Sequence, residues 1–245
     1  MHRFYIPTLG TENHVWIEGE EARHLSRVLR VAIGEEVGVF DGSGIECTGL
    51  VERLERGRAK ITIVRRERVD RDPALAVTLA LAVSKPKAME AAIEKCTELG
   101  LLELVPVETA RSVPKLARKE AARVERWERI AIGAAKQCGR TTVTRIAAPR
   151  PLSTFLAKPD RTGLKLVCSL DPEAPVLRDV LVAHPRPESV VYLVGPEGGL
   201  ELRELAEAEE AGFVPVTLGR STLRVETAAA AALAAILYQY ETPNR

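Results

Sequence analysis

Residues 77–83, Val-Thr-Leu-Ala-Leu-Ala-Val, form an uncharged and almost wholly apolar run. A strand of that composition has no face suited to water, so it must be covered on both sides. Lys85-Pro86 then opens a helical pattern through Met89, Ile93, Cys96 and Leu99, and Gly100 stops it. Leu102 to Val107 reads as the next strand. Further short apolar runs lie near 164–168, 190–194 and 214–217. Helical patterns fall at 117–138, from about Leu200, and from Val225 to Tyr240. Strands alternating with helices predict an α/β fold: a mostly parallel sheet with helices on both faces.

The first 70 residues read differently. Val15-Trp16-Ile17, Glu36 to Phe40, Glu46 to Val51 and Ala59 to Val64 are short, β-branched-rich and bounded by turn residues. Asp41-Gly42-Ser43-Gly44 is a hairpin signal. One short helix is predicted from about Glu20 to Leu29, with Ala22, Leu25, Val28 and Leu29 at helical spacing. Together these predict a small β-barrel over residues 1–70. The polar stretch Arg65 to Pro73 reads as a linker, and a second domain follows over 73–245.

The N-terminus, Met1-His2-Arg3-Phe4-Tyr5-Ile6-Pro7, lacks a signal-peptide core. The cysteines at 47, 96, 138 and 168 stand far apart, which suits isolated thiols in a reducing cytoplasm. The four histidines are scattered without metal-ligand spacing, so no metal is expected. No apolar run is long enough to span a membrane. Net charge is +1, yet residues 111–161 carry 13 basic and 4 acidic side chains. A local surplus of that kind is what phosphate contacts require, although a solvated helix face would look the same.

Near the C-terminus the run Val190 to Val194 leads into Gly195-Pro196-Glu197-Gly198-Gly199. The run Val214 to Thr217 leads into Leu218-Gly219-Arg220-Ser221-Thr222-Leu223-Arg224. Sheets of this class bind ligands outside the carboxyl ends of their strands, and the two runs are read as adjacent strands. Neither loop has the glycine spacing of a dinucleotide or triphosphate site. Gly195, Gly198, Gly199 and Gly219 permit close approach of backbone to a flat ligand. Leu170, Val194, Leu218 and Leu223 are suited to sandwich its faces. A plain tight turn accounts for Gly-Pro-Glu-Gly-Gly equally well.

The motifs carry a more specific resemblance. Gly195-Pro196-Glu197-Gly198-Gly199 with Glu204, and Leu218-Gly219 through Leu223-Arg224, Glu226-Thr227-Ala228, resemble signatures of the RsmE family of SPOUT-superfamily methyltransferases. His24-Leu25-Ser26-Arg27-Val28-Leu29-Arg30 resembles that family's N-terminal motif. Lys85, Met89-Glu90, Lys95 and Thr97-Glu98-Leu99-Gly100 match its central one, as do Arg111-Ser112 and Gln137 with Arg140. The chain departs from the pattern at Ser221-Thr222, with an arginine displaced to Arg220, and at Cys138, where serine is usual.

The resemblance implies a PUA-like barrel followed by a SPOUT domain containing a trefoil knot, an arrangement nearly absent from other proteins. It implies S-adenosyl-L-methionine held by Leu170, Val194, Gly195, Pro196, Glu197, Gly198, Leu218, Gly219, Ser221, Leu223 and Thr227. It implies methylation of a uridine N3 in small-subunit ribosomal RNA, free or in the assembled subunit, by a homodimer whose interface lies beside the cofactor. The alanine-rich last helix suits such packing, or equally an ordinary place between sheet and helices. Arg224 and Glu226 are the candidate catalytic pair, with a helix-capping role for Glu226 equally open. Arg27, Arg30, Lys85, Arg111, Lys136, Gln137 and Arg140 are the candidates for RNA contact. The alternatives are a ribose 2′-O-methyltransferase of the same superfamily and a non-catalytic RNA-binding assembly factor.

Overall fold

The computed structural model describes residues 1–112, 120–157 and 163–241. They fall into two compact units. The first comprises Met1–Asp72 together with Ala135–Val143, and the second Pro73–Ala134 with Thr144–Arg245.

The first unit contains strands β1 (His2–Tyr5) and β2 (His14–Glu18), helix α1 (Gly19–Arg23), and strands β3 (Glu36–Phe40), β4 (Ile45–Glu55) and β5 (Arg58–Arg68). They form a five-stranded sheet in the order β1-β3-β4-β5-β2, in which β1 and β3 run parallel and the other pairs antiparallel. Both edge strands feed one core: Phe4 from β1 and Val15 and Ile17 from β2 join Val37, Val39, Cys47 and Ile61. The helix predicted over 20–29 is composite. α1 passes directly into a π-helical turn, His24–Val28, and Arg30 follows in the left-handed region at φ 54°. Residues 65–68 are not linker, as their polarity suggested. They extend β5, with Arg68 opposite Ile45 and Arg65 opposite Thr48. This end of the ribbon is exposed along β5, so composition there carries no strand signal.

Residues 135–143, which the sequence reading assigns to the second domain, belong to the first unit through charge. The Arg3 guanidinium donates to Glu46 Oε1 at 2.6 Å and to the carbonyls of Ala135, Lys136 and Arg140 at 2.9–3.1 Å. Arg140 is buried, and its Nε donates to Asp72 Oδ1 at 2.7 Å. Thr142 Oγ1 donates to Asp72 Oδ2 at 2.6 Å, and Thr141 Oγ1 to the Val69 carbonyl. Lys136 Nζ meets both oxygens of Glu21.

The second unit contains β6 (Ala76–Ala82), α2 (Pro86–Glu98), β7 (Glu103–Glu108), α3 (Glu120–Cys138, whose last turn belongs to the first unit), β8 (Arg145–Ile146), β9 (Arg150–Pro151) and α4 (Leu152–Leu156). It continues with β10 (Leu164–Cys168), α5 (Leu177–Ala183), β11 (Ser189–Val194), α6 (Leu202–Glu210), β12 (Val214–Val216) and α7 (Val225–Tyr240). The start of the long helix pattern at 117–119 lies outside the described residues. Every pairing in the sheet is parallel, in the order β12-β10-β11-β6-β7-β8, with β9 also on β7.

The apolar run that opens the unit behaves as its composition requires: Leu79, Ala80, Leu81 and Ala82 are fully buried. Ala80, Ala82, Val105, Val107, Val191 and Leu193 pack on one face with Leu152 and Phe155 of α4 and Ala208 of α6. On the other face α2 lies against α7, and the buried Tyr192 hydroxyl donates to the Ala229 carbonyl of α7. Helices therefore cover both faces. No helix of the described residues is long and apolar enough to cross a membrane.

A cofactor cleft at the carboxyl ends of three strands

The loops after β10, β11 and β12 enclose a cleft of about 1040 Å³. Ten of the eleven residues expected to hold the ligand line it: Leu170, Val194, Gly195, Pro196, Glu197, Gly198, Leu218, Gly219, Ser221 and Leu223. Thr227 does not. It sits on the exposed side of the first turn of α7, whose Val225 and Ala228 face the cleft instead.

The two strands read as adjacent are in fact separated. β10 lies between β11 and β12, and its loop, Ser169 to Val176, supplies a third wall. Only Leu170 of that loop was anticipated. The signal present in the sequence was Asp171-Pro172, three residues beyond the run at 164–168. Here Asp171 Oδ1 accepts the Glu173 amide at 2.9 Å, closing an Asx-type turn. The loop is laced to the β12 loop, with the Thr217 amide donating to the Pro175 carbonyl and the Leu177 amide to the Thr217 carbonyl.

The glycines serve the protein's own packing as well as any ligand. A β-carbon on Gly195 would come within 3.1–3.2 Å of Leu200, and one on Gly198 within 3.3 Å of Arg111 Cδ. Gly199 has φ 71°, and Leu170 lies 3.1 Å from its would-be β-carbon. The tight-turn reading is therefore also correct: the Gly199 amide donates to the Pro196 carbonyl at 2.8 Å.

Two carboxylates hold this loop in place. Glu197 Oε1 accepts the Lys85 amide at the start of α2, at 3.3 Å. Glu204, almost fully buried, accepts the Ala110 amide at 2.7 Å on one oxygen and the Glu201 amide at 2.9 Å on the other. At the cleft wall, burial pushes the Cys168 thiol up to about 12. It stays protonated at neutral pH and offers no thiolate to compete for an electrophile. Among the described residues no group of three or more His, Cys, Asp or Glu is arranged to hold a metal ion.

Arg224 and Glu226 stand at the start of α7 and do not line the cleft. Arg224 is the helix N-cap in extended conformation, between the cleft residues Leu223 and Val225, and its carbonyl accepts the Ala228 amide. Glu226 lies in the first turn, where a negative charge favours the helix dipole. Neither side chain is engaged by the other described residues, so both are available to a molecule at the rim.

The seven RNA candidates divide sharply. Arg27 and Arg30 are exposed on the first unit, and their guanidinium groups make no ion pair among the described residues. Gln137 is exposed. Lys136 is tied to Glu21, and Arg140 is buried against Asp72, which corrects the expectation that Arg140 meets RNA. In the second unit Lys85 is exposed, whereas Arg111 donates to the Gly198 carbonyl at 2.6 Å. Within the basic segment, Lys115, Arg118, Lys119, Lys158 and Arg161 lie outside the described residues.

A parallel α/β unit with this cleft at its strand ends, preceded in the chain by a small β unit, is the arrangement that two family models of RNA methyltransferases describe. Residues 71–237 match the family model of an RNA methyltransferase domain, and residues 17–64 that of an RNA methyltransferase PUA domain. The ribosomal RNA small subunit methyltransferase E of Synechocystis is 34% identical over 226 residues, covering 92% of this chain and 73% of that protein. The enzyme of the same name from Neisseria gonorrhoeae, solved bound to S-adenosyl methionine, superposes with TM-score 0.89 at 36% identity over 98% of both chains. A Legionella pneumophila methyltransferase with bound S-adenosylmethionine superposes with TM-score 0.90 at 32% identity over 96% of both chains. The chain belongs to the ribosomal RNA small subunit methyltransferase E family.

Proposed function

We propose that this chain methylates N3 of a uridine in small-subunit (16S) ribosomal RNA, with S-adenosyl-L-methionine as donor, in the cytoplasm and as a homodimer. The observation that carries the reading is the cleft itself: ten of the residues that resemblance singled out converge there from three separate loops.

The cleft fits that cofactor chemically. Leu170, Val194, Leu218 and Leu223 supply apolar walls for an adenine ring, and loop amides and carbonyls at 195–199 and 217–219 supply edge contacts. The carboxylates of Asp171, Glu173 and Glu209 make the lining suitable for a cationic ligand. When bound, the sulfonium supplies an electrophilic methyl group. What remains for the protein is to orient the uridine and assist loss of its N3 proton. In this reading Arg224, at the rim of the cleft, stabilises negative charge on the uracil oxygens, and Glu226 accepts the proton. N3 is on the base-pairing edge, so the target base must be unpaired or flipped out. Arg27 and Arg30 of the PUA unit, with Lys85 and Gln137, contact the RNA.

Placing β10 between β11 and β12, with all three loops meeting at one cleft, supports a threaded, knotted arrangement of these loops. The exposed stripe Thr227, Ala231, Ala234 and Tyr238 on α7 supports a second copy packing there.

The test is nucleoside mass spectrometry of small-subunit RNA from a strain lacking the gene. Loss of one 3-methyluridine, restored by the purified protein with S-adenosylmethionine, is expected. Loss of a 2′-O-methyl nucleoside would replace the reading with the ribose enzyme. No lost modification and no cofactor binding would leave an assembly factor.

A further inference from the structure

Arg111 was expected to meet RNA, but its surroundings give it another task. Its backbone sits in a tight turn closed twice, by the Ser112 amide donating to the Thr109 carbonyl at 3.1 Å and the Thr109 amide donating to Ser112 Oγ at 3.1 Å. The neighbouring Ala110 amide is held by the buried Glu204 carboxylate. The side chain thus starts from a fixed base. It passes over Gly198, where a β-carbon would lie 3.3 Å from its Cδ, and donates from Nη1 to the Gly198 carbonyl at 2.6 Å. The same arginine lines the cleft.

We infer that Arg111 is a positioning residue for the cofactor: by gripping the Gly198 carbonyl it holds the 195–199 loop in its binding conformation. Three attachments then fix that loop and the helix after it to the segments that follow β6 and β7. Glu197 ties it to the end of β6, Glu204 ties the following helix to the end of β7, and Arg111 returns from the end of β7 to the loop's centre. Of the three, only Arg111 holds the loop's backbone through its own side chain. A charge-assisted hydrogen bond is stronger than a neutral one, and here it lands on a carbonyl of the cleft wall. Gly198 is required by the arginine lying across it as much as by the ligand.

The inference rests on the cofactor reading above, and the experiment separates the two. S-adenosylmethionine is titrated calorimetrically into the full-length wild-type protein, Arg111→Ala, Arg111→Lys and Gly198→Ala. Initial rates are measured with cofactor and RNA varied in turn, and melting is followed by circular dichroism. Arg111→Ala is expected to raise the cofactor Kd and the cofactor KM about tenfold. The RNA KM, its salt dependence and the melting midpoint stay unchanged. Arg111→Lys recovers part of the loss, and Gly198→Ala weakens cofactor binding in the same direction by displacing the arginine. Wild-type cofactor affinity in Arg111→Ala overturns the inference, and a reduced RNA salt slope in that variant returns Arg111 to the phosphate contacts. A wild-type protein that binds no S-adenosylmethionine overturns the cofactor reading, and this inference with it.

Discussion

Arg30 and Arg140 show how differently one residue type is used. Among the described residues Arg30 is the one non-glycine with positive φ. That conformation costs an L-residue about 1–2 kcal/mol, and such strain persists where function retains it. It follows a π-helical turn, a feature also common at functional sites. Arg30→Gly is therefore expected to keep or raise stability by up to about 1 kcal/mol. It should also weaken RNA binding and lower the salt slope by about one. Unchanged RNA affinity in filter binding at several salt concentrations would remove Arg30 from the interface. Arg140→Ala should do the reverse. Leaving the Asp72 carboxylate without its counter-charge is expected to cost about 3 kcal/mol in urea unfolding, and a loss under about 1 kcal/mol would mean the pair is dispensable.

At the scale of elements, the turn between β3 and β4 makes the stability of the first unit sensitive to acid. Burial opposes charge on Asp41, but hydrogen bonds from Ser43 and from the Leu9 amide outweigh it and hold the carboxyl below its usual range. A depressed folded-state value contributes stability that is present above the unfolded value, near 3.9, and is lost as pH falls through the folded one. Asp41→Asn should therefore flatten the acid side of the stability curve below about pH 4. An identical curve would assign that loss to other carboxylates. Elements with a local signature were legible in the sequence: the Val77–Val83 run, and α7 within its expected bounds. What was not legible is set by partners distant in sequence. Nothing near 164–168 announces that β10 separates β11 from β12. Arg140 looks like any surface arginine until Asp72, 68 residues away, is placed beside it. The basic end of β5 resembled a linker because its residues are exposed, and only the register with β4 makes it a strand.

For the whole molecule, the face of α7 carrying Thr227, Ala231, Ala234 and Tyr238 sets the expected assembly. Light scattering should give a dimer of the 26.8 kDa chain, and Ala231→Arg should return it to a monomer with its cofactor cleft intact. A wild-type monomer would refute the assembly. The charge links of residues 135–143 have a consequence of another kind, in the order of events during synthesis. Arg3 and Asp72 are made early, but the carbonyls and the arginine that satisfy them come from a segment translated after 62 residues of the other unit. At about 5–20 residues per second, the first unit waits roughly 4–14 s between Asp72 and Val143 for its last piece. During that interval the nascent β unit carries an unmatched charge at Asp72, and it closes only as α3 is completed.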